Sequence, residues 1–350
     1  MRRGRRSGLY TIVAVHSTAR GPSLGGCRMW GYADSRDAVA DALRLSRAMT
    51  FKAAVADLPQ GGGKGVIMRP FGEPPLAGDQ RRAALLDFGD TVDILEGRYR
   101  TAEDVGTGDA DMTVIAERTA HVTGLAVERG GSGDPSPWTA LGVQEAIRVA
   151  CERVWGTLDL DGRTIAVVGL GRVGGALARS LAAAGARLIV ADLDRGKRAL
   201  ADELGAEWTD PATAIRANVD VLAPCALGAV LDAESVPALR CRAIAGAANN
   251  QLASEAVAQQ LIEREILWAP DFVANAGGIL NISVELEPEG YASERAEGRV
   301  RAIGDTLRTI FDDADAAGST PLAAAMALAY RRLAEASAPP PAASLGAPPA

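Results

Sequence analysis

Ala38, Ala42, Leu45 and Met49 recur every three or four positions behind Ser35, a good N-cap, and predict a helix over residues 35–49. Ahead of it, the β-branched, weakly alternating YTIVAV of residues 10–15 predicts a strand, and the glycine-rich GPSLGGCRMW a loop. Behind it the pattern predicts a strand to about residue 57, a turn at Gly61, Gly62 and Gly63, a strand in GVIM, a loop over 70–75 and a helix over 79–95. TAEDVGTGDADMTVIAERT reads as a strand end, a loop and a helix. Asp109 or Asp111 would lie in that helix's first turn, where a plain cap is the alternative to a chemical role, more so for Asp109 than for Asp111.

GGSGDPSPW, residues 130–138, shifts toward Gly, Ser and Pro and reads as a hinge. A helix over 139–154 follows, and then the rhythm changes to short apolar runs separated by helices. Strand candidates are 165–168, 219–223, 243–246 and 267–269, the signature of a doubly wound sheet. Amphipathic helices over 294–315 and 322–335 are expected to pack back on the first domain. The last 14 residues, SAPPPAASLGAPPA, hold five prolines and no charge and read as a disordered tail.

With 350 residues, two cores are expected rather than one. The 37 basic residues against 44 acidic ones give a net charge of −7, which argues against nucleic acid or an anionic membrane as partner. No apolar run reaches the roughly 20 residues of a membrane span, and no signal peptide is read behind MRRGRRSG, so the cytoplasm is the expected location. Cys27, Cys151, Cys225 and Cys241 have no metal-ligand spacing, so neither a metal site nor a disulfide framework is expected. With His16 and His121 the only histidines, both read as structural, proton chemistry falls to Lys and Asp.

MTFKAAVADLPQGGGKGVI sets Lys52 and Lys64 on either side of the triple glycine. Lys52 has apolar neighbours that strip its hydration and lower its pKa, while a glycine turn would deliver Lys64 into a cleft; two solvated lysines beside a plain turn are the alternative. The most specific signal is TIAVVGLGRVGGALARSLAAAGARLIVAD. A strand, Gly169, Gly171 and Gly174 in the spacing GxGxxG, a helix, a second strand and the terminal Asp192 form a complete dinucleotide-binding βαβ unit. Asp192 suits free ribose hydroxyls and repels a 2′-phosphate, so NAD is expected. Asn249, Asn250 and Asn275 lie where later strands end and are candidates for contact with cofactor or substrate, although asparagines also favour turns.

Taken in order, MTFKAAVADLPQGGGKGVI, TAEDVGTGDADM, GLGRVGG, APCALG, AGAANNQL and APDFVANAGGILN resemble the amino-acid dehydrogenases of the Glu/Leu/Phe/Val family, in particular its actinobacterial phenylalanine and valine enzymes. The resemblance implies an α/β fold of two domains. Residues 1–133, completed by helices from about 303–336, would form the substrate domain, residues 134–302 a Rossmann NAD-binding domain, and 337–350 the tail. It implies that Lys52 binds the substrate carboxylate, Lys64 activates water, Asp111 exchanges a proton with the amine, and Leu24, Gly25, Gly26 and Asn275 line the amino-acid site. Cofactor contacts would come from Thr139, Gly169, Gly171, Arg172, Val173, Gly174, Asp192, Cys225, Ala226, Asn249 and Asn275. The implied reaction is reversible NAD-dependent deamination of an apolar L-amino acid by a homo-oligomer, with a side-chain pocket near residues 300–307.

Three departures from the family pattern stand out: a short segment before the first strand, which implies an altered assembly or an upstream start; Thr113 where an acid is common; and an insertion in LEPEGY at residues 286–291. A relative acting on an unusual amino acid and a non-catalytic NAD-binding paralogue are the competing readings. Lys52, Lys64 and Asp111 together speak against the second.

Overall fold

The computed structural model describes residues 1–226 and 228–337; the expected tail from residue 338 onward lies outside the described residues. The first unit holds β1 (Arg2–Arg3), β2 (Tyr10–Ser17), β3 (Ser23–Tyr32), α1 (Ser35–Val55), β4 (Gly61–Pro70), α2 (Gly78–Asp93), β5 (Tyr99–Glu103) and α3 (Asp109–Ile115). Its mixed sheet runs β1-β2-β4-β3-β5. Ile12, Ala14 and Val66 on one face meet Ala38 and Ala42 of α1, while Cys27, Met29 and Ile67 on the other meet Leu85 and Phe88 of α2.

Three expectations for this unit are corrected. The supposed loop at residues 21–30 is mostly strand β3, hidden because Gly25 and Gly26 remove the alternation of side chains; a Cβ on Gly25 would lie 1.8 Å from Gly63 O. The helix predicted over 35–49 is capped by Asp34, which accepts from Arg36 N, and continues to Val55 in place of the expected strand, so Lys52 sits in its last turn. There its charge suits the helix C-terminus. Gly61, Gly62 and Gly63 do not form a turn but begin strand β4, and none of them has positive φ. They are glycines because side chains would collide: a Cβ on Gly62 would lie 2.1 Å from Thr50 N, and one on Gly63 2.6 Å from the Tyr99 ring.

The second unit opens with α4 (Ser136–Trp155) and continues through β6 (Thr164–Val168), α5 (Arg172–Ala183), β7 (Arg187–Ala191), α6 (Arg198–Leu204), β8 (Glu207–Thr209), α7 (Pro211–Ile215), β9 (Val221–Pro224), β10 (Ala243–Ile244), α8 (Ala256–Glu263) and β11 (Leu267–Trp268). The six strands are parallel and ordered β11-β10-β9-β6-β7-β8, so the winding reverses between β6 and β9. In such sheets the crevice beyond the strand ends at the reversal is the ligand site. Ile165 and Val167 pack under α4 and α5, and Ala166, Val168 and Leu222 pack on the other face with Val257 and Leu261 of α8.

Then come α9 (Asp271–Ala274), α10 (Gly277–Glu285), α11 (Ser293–Arg301), α12 (Ile303–Ala317) and α13 (Pro321–Ser337). The amphipathic stretch expected as one helix over 294–315 is two, α11 and α12, divided at Ala302. α12 rests on α4 and carries α13 back onto α1. Arg332 of α13 fastens this return: its Nη1 donates to Val55 O at 2.6 Å, satisfying a carbonyl at the open end of α1.

Candidate active site

Lys64 is the fourth residue of β4 and 4% exposed, and its Nζ pairs with Asp104 Oδ1 at 2.9 Å. Asp104 directly follows β5, and its second oxygen accepts from Arg28 Nε of β3 at 3.0 Å. Burial pushes the Asp104 carboxyl up, but Lys64 and Arg28 more than offset this and hold it below the ordinary range.

Lys52 reaches the same cleft from α1. Burial and, more weakly, the neighbouring Lys64 charge lower its pKa to about 8, against the opposing pull of Asp271 and Asp104. Its Nζ donates to Asn275 Oδ1 at 2.6 Å and toward Asn249 Oδ1 at 3.4 Å. Asn275 Nδ2 in turn donates to Asn249 Oδ1 at 2.9 Å and to Ala247 O at 3.1 Å, so the network joins α1 to the strand ends of the second sheet. Lys52 has three N–H donors, which leaves one for a ligand.

The resulting cleft holds about 260 Å³. Leu24, Gly25, Gly26, Lys52, Lys64, Thr139, Val173, Asn249 and Asn275 all line it, as the sequence leads one to expect. Asp111 does not. Its carboxylate caps α3, accepting from Gly108 N at 2.9 Å, and is gripped by the Arg81 fork at 2.8 and 2.6 Å. The expectation that sets Asp111 beside the substrate is therefore corrected in its placement: Asp104 is the carboxylate beside Lys64, and Asp111 is paired with Arg81 outside the cleft. Asp109 is exposed. Position at the end of a parallel strand was the signal that singles out Asp104.

The side-chain pocket is corrected too. Val300, Ile303 and Leu307 are buried in the core with α4 and α10, whereas the apolar wall of the cleft comes from Leu24, Met49, Ala102, Ile279 and Ile282. Ile279 and Ile282 lie three apart on α10 and so share a face.

The remaining nucleotide candidates gather at the β6–β9 reversal. Gly169 has φ 102°, and a Cβ on it would lie 2.7 Å from Ala226 N. A Cβ on Gly174 would lie 1.9 Å from Gly169 O, so this glycine lets α5 press on the loop. Beside Gly171 there is nothing within 4 Å of such a Cβ, an open approach at the N-terminus of α5 that fits a pyrophosphate. Asp192, just past β7, accepts from Leu170 N at 2.6 Å and Asp194 N at 2.8 Å, fixing the glycine loop. Cys225 N donates to Val168 O at 2.7 Å, and burial pushes its thiol up to about 12. Arg172 crosses the cleft to Glu103 Oε1 at 3.3 Å.

Residues 1–121 match the family described as Glu/Leu/Phe/Val dehydrogenase, dimerisation domain, and residues 190–339 match Glutamate/Leucine/Phenylalanine/Valine dehydrogenase. The chain is 43% identical to a leucine dehydrogenase of Thermoactinomyces intermedius, covering 94% of this chain and 88% of that one. It is equally 43% identical to a valine dehydrogenase of Streptomyces albus, covering 95% and 91%. Among solved structures, an L-tryptophan dehydrogenase from Nostoc punctiforme superimposes with a TM-score of 0.80 at 38% identity, covering 94% of each chain.

Proposed function

This chain belongs to the Glu/Leu/Phe/Val dehydrogenase family and is an amino-acid dehydrogenase; from that premise we propose that it carries out the reversible, NAD-dependent oxidative deamination of an apolar L-amino acid to the 2-oxo acid and ammonia. One observation carries the substrate class. Among the residues lining the cleft the cations are Lys52 and Lys64; Glu103 and Asp104 are acidic, Thr139, Asn249 and Asn275 are neutral, and Leu24, Met49, Ala102, Ile279 and Ile282 form an apolar wall. With Lys52 holding the α-carboxylate and Lys64 tied to Asp104, a second carboxylate on the substrate finds no partner, and burying it unpaired is costly.

The nicotinamide, when bound, supplies the acceptor for the Cα hydride. Lys52 Nζ takes the substrate carboxylate with its free donor, and Asn275 and Asn249 fix where that donor points. Hydride loss requires a neutral amine, so Asp104 accepts the ammonium proton. Lys64 Nζ removes a proton from the water that attacks the iminium carbon and then donates to the developing oxygen. Its 4% exposure supports a water-poor setting in which such donation is strong.

Asp192 supports NAD over NADP, as an acidic group against a 2′-phosphate. The dimerisation-domain match over residues 1–121 supports a homo-oligomer. The four free cysteines suit the cytoplasm, where reducing conditions keep thiols reduced. Among the described residues no helix is long and apolar enough to cross a membrane.

The test is NADH consumption with ammonia and a panel of phenylpyruvate, indolepyruvate, 2-oxoisovalerate, 2-oxoisocaproate and 2-oxoglutarate. Turnover of one or more of the first four above 2-oxoglutarate is expected. Preference for 2-oxoglutarate, or NADH binding without turnover of any, would overturn the proposal.

A further inference from the structure

Arg28 does not line the cleft, yet both ends of its guanidinium are engaged. Nε donates to Asp104 Oδ2 at 3.0 Å, and Nη1 donates to Asp41 Oδ2 on α1 at 2.9 Å. Asp41 is itself held by the Tyr32 hydroxyl and by Arg44 Nη2, each at 2.7 Å. A row of alternating charges, Lys64, Asp104, Arg28, Asp41 and Arg44, thus runs from the buried Nζ to the outer flank of α1, where Arg44 is 54% exposed.

Each oxygen of Asp104 has one cation, and the two cations differ in kind. Lys64 on Oδ1 must change protonation if it activates water. Arg28 on Oδ2 does not deprotonate in proteins, so it is the charge that stays when Lys64 becomes neutral. The other ionisable groups acting on Asp104 are Lys52 of α1, Tyr99 and Glu103 of the preceding strand β5, and the buried thiol of Cys27. None of them forms a hydrogen bond to the Asp104 carboxylate. Arg28 is also clamped from outside by Asp41, which limits the positions its fork can adopt.

We propose that Arg28 is a positioning residue for the deamination: anchored by Asp41, it fixes the Asp104 carboxylate against Lys64 and holds it ionised in the free enzyme, ready to accept the ammonium proton. The inference rests on the reading of Asp104 and Lys64 as the acid–base pair. It separates Arg28 from residues that bind substrate, since its effect passes through Asp104 alone.

The experiment is steady-state deamination by full-length Arg28→Gln, Arg28→Lys and Asp104→Asn, with melting temperature and NADH affinity measured alongside. In Arg28→Gln, kcat is expected to fall by about tenfold to a hundredfold, since small misplacement of a reacting group has effects of this size. The KM values for amino acid and NAD should stay within about twofold, because Arg28 touches neither site, and the acid limb of kcat/KM should move up by about one pH unit as one of two adjacent cations is lost. Arg28→Lys should return the acid limb toward wild type while recovering kcat only in part. Wild-type kcat with an unmoved acid limb in folded Arg28→Gln overturns the inference, as does a loss confined to melting temperature. Should Arg28→Gln fail to fold, Arg28→Lys decides: reduced kcat at unchanged KM supports the role, and full kcat removes it. Asp104→Asn distinguishes the levels. If it turns over normally, the acid–base reading fails and this inference with it; if it is inactive while Arg28→Gln behaves as wild type, only the inference fails.

Discussion

Lys52 Nζ on the last turn of α1 donates to Asn275 Oδ1, at the end of α9, across 2.6 Å. This bond joins α1 of the first unit to the end of α9 through the group proposed to hold the substrate carboxylate, so substrate binding and the relative position of the two units share one atom. The ammonium form is needed for the carboxylate, and the pKa of about 8 places its loss within reach of assay. Affinity for the 2-oxo acid, measured with NADH bound, is expected to hold below pH 8 and to fall by about tenfold per pH unit above it, since only the charged fraction binds. The 2-oxo acid carries no amine to confuse the profile. A flat affinity from pH 7 to 10 would contradict the depressed value.

Asp104 faces Lys64 and Asp111 faces Arg81, and the proposal gives chemistry to the first and scaffolding to the second. Lys64→Ala and Asp104→Asn should each lower kcat by at least about a hundredfold with NADH binding retained. Asp111→Asn should keep most of kcat but destabilise the fold by roughly 1–3 kcal/mol, because a cap and the partner of a half-buried Arg81 are weakened. Thermal melting together with kcat checks both. An inactive, fully stable Asp111→Asn would reverse the assignment.

Gly171 and Gly174 are three residues apart and differ in what surrounds them. A Cβ on Gly171 enters open space, so Gly171→Ala should fold with an unchanged melting temperature and bind NADH at least tenfold more weakly. On Gly174 a Cβ meets Gly169 O at 1.9 Å, so Gly174→Ala should melt lower whether or not cofactor is present. Fluorescence titration with NADH and differential scanning would show equal behaviour of the two variants if this division is wrong.

Asp192→Ala removes the acidic residue at the end of β7. The ratio of NAD to NADP efficiency should fall by an order of magnitude or so, and part of the absolute loss should reflect the freed Leu170 N–H. An unchanged ratio would remove Asp192 from cofactor selection.

Ile279 and Ile282 form one wall of the cleft, so Ile279→Ala enlarges it. Each methylene is worth about 1–3 kcal/mol of discrimination. The ratio of kcat/KM for phenylpyruvate over 2-oxoisovalerate is therefore expected to rise at least tenfold. Val300 lies in the core outside the cleft wall, and Val300→Ala should leave that ratio in place while lowering stability.

The dinucleotide unit was readable without coordinates because its evidence is local. A buried strand, three glycines with separate backbone duties and an acid at the next strand end lie within 29 residues, and β6, α5 and β7 follow that order. Lys52 and Lys64 were likewise visible, since lysines among apolar and glycine neighbours stand out. The sequence could not disclose why residues 61–63 are glycines. Their reason is contact with Ser17, Thr50 and Tyr99, each distant in the chain, and a turn explains the same letters equally well. The glycines of β3 erased the alternation by which strands are recognised, and the helix beyond Met49 depended on burial between two layers. Asp104 directly follows β5 and Asp111 lies in the first turn of α3, a difference that marks Asp104 as a candidate without disclosing which partner either carboxylate meets. Only the fold decides that one meets Lys64 and Arg28 in the cleft while the other meets Arg81 behind it, because charge pairing across strands is set by sheet order rather than by position along the chain.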